Sequence, residues 1–118
     1  MKNQDPDPVV SHESSVKNYF KAWREKNIEK LETLLSEDAE LKDWEIDAIG
    51  IESVLKANSN IFESVQKLDV SVESLAFSDN IAFCKITVQA DDDKIPVVDI
   101  LEFNSAGKIK KITAYRGN

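Results

Sequence analysis

The sequence predicts an α+β domain with its helices first and a long antiparallel meander after them. Apolar residues recur with a helical period through the first half of the chain, and from Leu68 onward the period becomes two. The period-two segments are separated by short turn signals, so they read as consecutive strands of one sheet. In such an order the helices must cover one face of a curved sheet.

Residues 1–10 are polar and carry Pro6 and Pro8, which reads as a flexible tail touching the body only at Val9 and Val10, ahead of one domain over residues 11–118. Val16, Tyr19, Phe20 and Trp23 follow at i, i+3, i+4, i+7, the stripe of a first helix beginning near Ser11. Asn27 ends that helix or caps the next, whose stripe is Ile28, Leu31, Leu34 and Leu35, with Ser36-Glu37-Asp38 as its stop. Ala39 to Trp44 alternates as a short first strand, and an irregular stretch runs on to Gly50. A third helix carries Ile51, Val54, Leu55, Asn58, Ile61, Phe62 and Val65, Asn58 being its one polar stripe member. Strands then start at Val70, Ile81, Ile95 and Ile109, divided by Ser78-Asp79-Asn80, Asp91-Asp92-Asp93 and Asn104 to Gly107.

Composition narrows the function. With 118 residues, 42% hydrophobic and 31% charged, the chain suits one globular domain whose core is large enough to hold a small-molecule pocket. Fifteen basic against twenty-two acidic side chains give a net charge of −7, which argues against nucleic acid as a partner. No apolar run reaches membrane-spanning length and the N-terminus lacks a signal-peptide pattern, so no membrane partner and a cytoplasmic location are expected. Cys84 stands alone and reads as a small strand hydrophobe. His12, the single histidine, reads as a surface residue of the first helical turn, and nothing in the spacing suggests a metal site or a cofactor. Asp91-Asp92-Asp93 lacks the glycine and distant glutamate of a calcium loop and reads as a solvated hairpin tip.

Three titratable residues stand where burial is costly. Tyr19 lies mid-stripe on the first helix, where its hydroxyl needs a partner; by itself the position fits an ordinary core tyrosine. Strand alternation puts Asp99 on one face with Val97, Leu101 and Phe103, so its carboxyl must pair with a cation, meet water, or stay protonated and donate a hydrogen bond. Asp43 beside Trp44 is either desolvated by that ring or a solvated turn residue.

From Val16 to Tyr115 the chain resembles the ketosteroid isomerase and SnoaL-like proteins of the nuclear transport factor 2 superfamily. Val16-Lys17-Asn18-Tyr19 is similar to the segment that carries the isomerase's oxyanion-hole tyrosine, and Asp43, 24 residues further on, falls on its general-base aspartate. Val97-Val98-Asp99, with Phe103-Asn104-Ser105-Ala106-Gly107-Lys108 after it, resembles the strand and turn bearing the protonated aspartic acid, which lands on Asp99.

The resemblance implies a cone-shaped, strongly curved antiparallel sheet wrapped around three helices, a homodimer formed on the outer sheet face, and no cofactor or metal. It implies proton transfer next to a carbonyl of a small molecule, with Asp43 as base and Tyr19 and Asp99 as donors to the enolate oxygen. The implied pocket lining is Phe20, Trp23, Trp44, Leu55, Phe62, Lys85, Leu101, Phe103, Ile112, Ala114 and Arg116. Lys85, Thr87 and Gln89 fall where the isomerase has apolar residues, and Arg116 where a phenylalanine is expected. The expected substrate is therefore a carbonyl compound smaller or more polar than a steroid, and Lys85, if it faces the cavity, would pair with Asp99. Two other readings fit the same scaffold: polyketide cyclase or epoxide hydrolase chemistry, which needs an ionised Asp99, and a non-catalytic ligand-binding or dimerisation module.

Overall fold

The computed structural model describes residues 8–118, with side chains from Ser11 onward. Helices α1 (Pro8–Arg24) and α2 (Ile28–Leu34) come first, then short strands β1 (Leu35–Lys42) and β2 (Asp47–Ile49), then helix α3 (Ile51–Ser64), before the long strands begin. Those are β3 (Leu68–Ser78), β4 (Ile81–Ala90), β5 (Asp93–Phe103) and β6 (Ile109–Arg116). All six strands form one open, curved sheet in the order β2-β1-β6-β5-β4-β3, and the helices pack on its inner face. The α+β architecture is the expected one. Four of the five strand pairings are antiparallel, while β1 runs parallel to β6.

Helix α1 starts three residues earlier than the expected Ser11, with Pro8 at its first position, where a missing N–H costs nothing. The rest of the expected tail, residues 1–7, lies outside the described residues. At its other end Lys26 takes the left-handed conformation, φ +53°, and closes the helix with Asn27 N–H to Ala22 O (2.8 Å) and Lys26 N–H to Trp23 O (3.1 Å). Lys26 also donates through Nζ to the carbonyl of Val65, tying this corner to the end of α3. Asn27 then serves α2 as well, its Oδ1 accepting from Lys30 N at 3.0 Å.

Two expectations do not hold and a third, the exposed hairpin tip at Asp91, holds but is incomplete. His12 is buried at 4% exposure rather than on the surface; it stacks on Phe103 with ring centroids 4.1 Å apart and bonds Asn80 Oδ1 through Nε2 at 3.2 Å. It sits four residues before Val16, hence on the same stripe, a signal that its ionisable ring obscured. The first strand begins at Leu35, because Ser36-Glu37-Asp38 forms an irregularity in the β1–β6 pairing instead of a helix stop, with Ser36 Oγ donating to Asp38 Oδ1 at 2.7 Å. Asp91 does more than decorate a hairpin tip: its Oδ1 accepts from the backbone of Gln66 and Lys67, both at 2.9 Å, which fixes the start of β3. Those hydrogen bonds hold its carboxyl below the usual carboxylate range. The three-residue strand β2, too short to show a period, lies inside the expected irregular stretch.

Candidate active site

Alternation along the long strands decides what the inner face is made of. On β4, Ala82, Cys84 and Ile86 are buried while Phe83 and Lys85 are exposed; on β5, Val97, Asp99, Leu101 and Phe103 point inward together. The inner volume is filled at one end and hollow at the other. At the filled end Leu101 and Phe103 are fully buried in the core. At the hollow end lies a cavity of about 250 Å³.

Seven elements and one loop line that cavity. Helix α1 contributes Tyr19, Phe20 and Trp23, α3 contributes Asn58 and Ile61, and the strands send in alternate residues such as Ile86 and Val88 on β4 and Val97 and Asp99 on β5. Ile112, Ala114 and Arg116 of β6 complete one wall, and the loop after β1 contributes Asp43, Trp44, Glu45 and Ile46. Trp44 is 45% exposed, with the Arg116 guanidinium 6.0 Å from its ring centroid, a cation–π pair beside the loop carboxylates.

Asp43 is oriented by a tight turn. Its Oδ1 accepts from the backbone of Glu45 (2.7 Å) and Ile46 (2.6 Å), and its own N–H donates to Ile46 O at 2.9 Å. Both side-chain bonds fall on one oxygen, leaving Oδ2 outside the turn. Asp99 is only 8% exposed, paired in the sheet with Cys84 on one side and Ala114 on the other. Burial pushes its carboxyl up to about 7, and the charge of Asp43 adds to the effect. Tyr19 is 2% exposed, and burial holds its hydroxyl well above the ordinary phenol range, with Asp99 contributing. The Trp23 indole N–H lies close enough to the phenol to oppose that rise, yet it is buried without an acceptor in hydrogen-bond geometry. Burial likewise pushes the Cys84 thiol up to about 12, which leaves it inert as a nucleophile at neutral pH.

The arrangement thus brings the Tyr19 hydroxyl, a buried Asp99 carboxyl pushed up to about 7 and the turn-held Asp43 to one apolar hollow. Lys85 does not join them. It pairs across the sheet with Val98, on the face away from the cavity. The expected Lys85–Asp99 pair is off by one residue in register, and such a slip sends every side chain of a strand to the opposite face. Gln89 is exposed and the Thr87 hydroxyl bonds Glu73, while Ile86 and Val88 take the cavity wall.

A family model described as the SnoaL-like domain matches residues 16–112. The chain belongs to the SnoaL-like family. None of the curated proteins matches it by sequence. Among solved structures, a candidate ketosteroid isomerase from Kribbella flavida superposes with a TM-score of 0.81 at 18% identity, covering 92% of this chain and 79% of the other. A candidate SnoaL-like polyketide cyclase from Jannaschia gives a TM-score of 0.81 at 14% identity, covering 97% and 91%. A protein with a ketosteroid isomerase-like fold from Catenulispora acidiphila, solved with trimethylamine, gives 0.76 at 15% identity, covering 86% and 83%. At these identities the likeness establishes the shared fold.

Within this SnoaL-like cone, Tyr19, Asp43 and Asp99 all line the one cavity, together with Phe20, Trp23, Trp44, Ile112, Ala114 and Arg116 of the residues expected there. Leu55, Phe62, Leu101 and Phe103 do not: they pack in or against the core behind the wall, Phe62 edge-on to Trp23 at 5.3 Å. How deep the hollow reaches depends on how far α1 and α3 stand from the sheet, which no periodicity encodes. Asn58 and the strand residues Ile86, Val88 and Val97 line it too; alternation specifies the face of Val97, whereas Ile86 and Val88 stand where the resemblance implies Lys85, Thr87 and Gln89.

Proposed function

We propose that this SnoaL-like protein moves a proton at the carbon next to a carbonyl group of a small, largely apolar molecule. Asp43 takes the α-proton, and Tyr19 with protonated Asp99 donates hydrogen bonds to the oxygen on which the enolate charge develops. What supports this reading is the buried Asp99, its carboxyl pushed up to about 7, lining the same cavity as the Tyr19 phenol and the turn-held Asp43. Arg24–Asp69 is the one salt bridge among the described residues, so no described cation forms one with Asp99. Water activation between two carboxylates, as a hydrolase would need, runs against that burial.

The substrate class follows from the walls. With Lys85 facing out, the cavity no longer argues for a polar substrate, and its volume of about 250 Å³ lies just under the roughly 300–1,000 Å³ usual for ligand pockets. A compact apolar ketone fits that better than a large one. Deuterium exchange at the α-carbon of cyclic ketones in D₂O, followed by NMR, tests the activity whatever the natural substrate is. Exchange is expected to fall about 10²–10³-fold in Tyr19→Phe and in Asp99→Leu, as when one oxyanion donor is lost. Asp43→Asn should lose about 10²–10⁴-fold. Exchange that survives all three substitutions refutes the assignment. Absence of exchange in the unaltered protein favours the non-catalytic ligand-binding module.

The same reading includes a homodimer. Phe83 and Val98, about two-fifths exposed, and Tyr115, at 60%, share the outer face of β4, β5 and β6. Sedimentation velocity is expected to give a dimer that Val98→Glu dissociates; a monomer in the unaltered protein removes this part of the proposal.

A further inference from the structure

Asn58 is the most costly residue in the cavity wall to explain structurally. It stands on the inner face of α3 at 1% exposure, among Val54, Ile61 and Phe62, where an apolar side chain would serve packing better. Its Nδ2 donates to Val54 O at 2.9 Å, one turn back in its own helix. A carbonyl can only accept, so this bond fixes the amide orientation and leaves Oδ1 as the free end. That oxygen is buried without a donor among the described residues. The single bond Asn58 makes joins α3 to itself, so the residue ties no two elements together. Asn58 lines the cavity, so this unmet acceptor lies at its wall, and a ligand hydroxyl that reaches it gains a bond the described residues do not supply.

The rest of the wall supplies the complementary half. The Tyr19 hydroxyl and the Trp23 indole N–H are donors, as is the Asp99 carboxyl in its protonated form, and the Trp23 N–H, like Asn58 Oδ1, is buried without a partner in hydrogen-bond geometry among the described residues. A ligand that satisfies this cavity presents an acceptor to the donors, a donor to Asn58, and hydrocarbon elsewhere.

We propose that Asn58 is a specificity-determining residue that accepts a hydrogen bond from a hydroxyl of the substrate, so that the preferred substrates are apolar ketones bearing a second, hydroxylated position. This rests on the proton-transfer reading for the carbonyl end, and adds the recognition of the other end. A site built to bond a hydroxyl rejects the analogue lacking it, because the protein acceptor is then left buried and unpaired.

Phenols imitate the enolate at the donor end, so bicyclic phenols separate the two claims. Binding of 2-naphthol and of the isomeric dihydroxynaphthalenes would be measured by calorimetry on the full chain, on Tyr19→Phe and on Asn58→Leu, with thermal melts to show that each variant folds. At least one dihydroxy isomer is expected to bind the unaltered protein tenfold or more tightly than 2-naphthol. In Asn58→Leu that preference should vanish while 2-naphthol binds as before; Tyr19→Phe should weaken both ligands together and keep their ratio. Equal affinity of 2-naphthol and every dihydroxy isomer for the unaltered protein overturns the role of Asn58 whatever the variant does. A preference that persists in Asn58→Leu overturns it too. If 2-naphthol binding is indifferent to Tyr19→Phe, the oxyanion reading fails while the Asn58 preference is still decided by the ratio. If none of the naphthols binds, both fall.

Discussion

The two ends of the inner face of β5 treat a buried polar group in opposite ways. At the filled end His12 is stacked on Phe103 and bonded to Asn80, in a space occupied by side chains. At the hollow end Asp99, two residues from Leu101 on the same face, lies at a cavity with no salt-bridge partner among the described residues and with its carboxyl pushed up to about 7. One strand therefore carries both a packed polar contact and a cavity-lining acid, separated by a single fully buried leucine. Burial alone does not distinguish structure from site. Whether the surrounding volume is filled, and by what, does.

The largest effect expected from that difference is a dependence of stability on pH. An unfolded aspartate titrates near about 3.9, whereas folded Asp99 titrates at about 7. Between those values the unfolded chain has released a proton that the native state still holds, so the unfolded state binds fewer protons and stability falls as pH rises. Below about pH 4 there is no penalty, and above about pH 8 it is complete, on the order of 4 kcal/mol. Asp99→Asn, which cannot ionise, should therefore match the unaltered protein at pH 4 and exceed it at pH 8 in urea unfolding. A variant equally stable or weaker at pH 8 would mean that the carboxyl is solvated or paired, and the contrast between the two ends would lose its basis. The same titration sets the activity profile: donation by Asp99 is lost as pH rises through about 7, so exchange should decline there.

Much of this contrast is legible in the residues. The stripe Val16, Tyr19, Phe20, Trp23 and the alternation of Val97, Asp99, Leu101, Phe103 specify which side chains go inward, since period alone determines face. Asn58 is visible as the polar member of an apolar stripe. What the pattern does not encode are properties of the third dimension. The one-residue register of β4 decides that Lys85 faces solvent, and the spacing of helices above the sheet decides that Leu101 and Phe103 sit below the cavity floor. His12 misleads for a different reason: an ionisable residue in a first helical turn reads as surface until its partners are seen.

The smaller effect belongs to the filled end. His12 Nε2 has a partner in Asn80 Oδ1 at 3.2 Å, whereas Nδ1 is buried with none. Asn80→Ala removes the one acceptor and leaves both ring nitrogens unsatisfied, which should destabilise the protein by about 1–3 kcal/mol. Adding His12→Phe to that background removes both nitrogens and preserves a ring to stack on Phe103, so most of the loss should be regained. Urea midpoints of the single and double variants measure this, and the cavity's affinity for 2-naphthol should stay unchanged in both. Recovery with unaltered binding identifies the closed end as replaceable packing. A double variant that folds well but no longer binds would instead show that the two ends of β5 are coupled, and that the filled half of the cone helps to set the geometry of the hollow half.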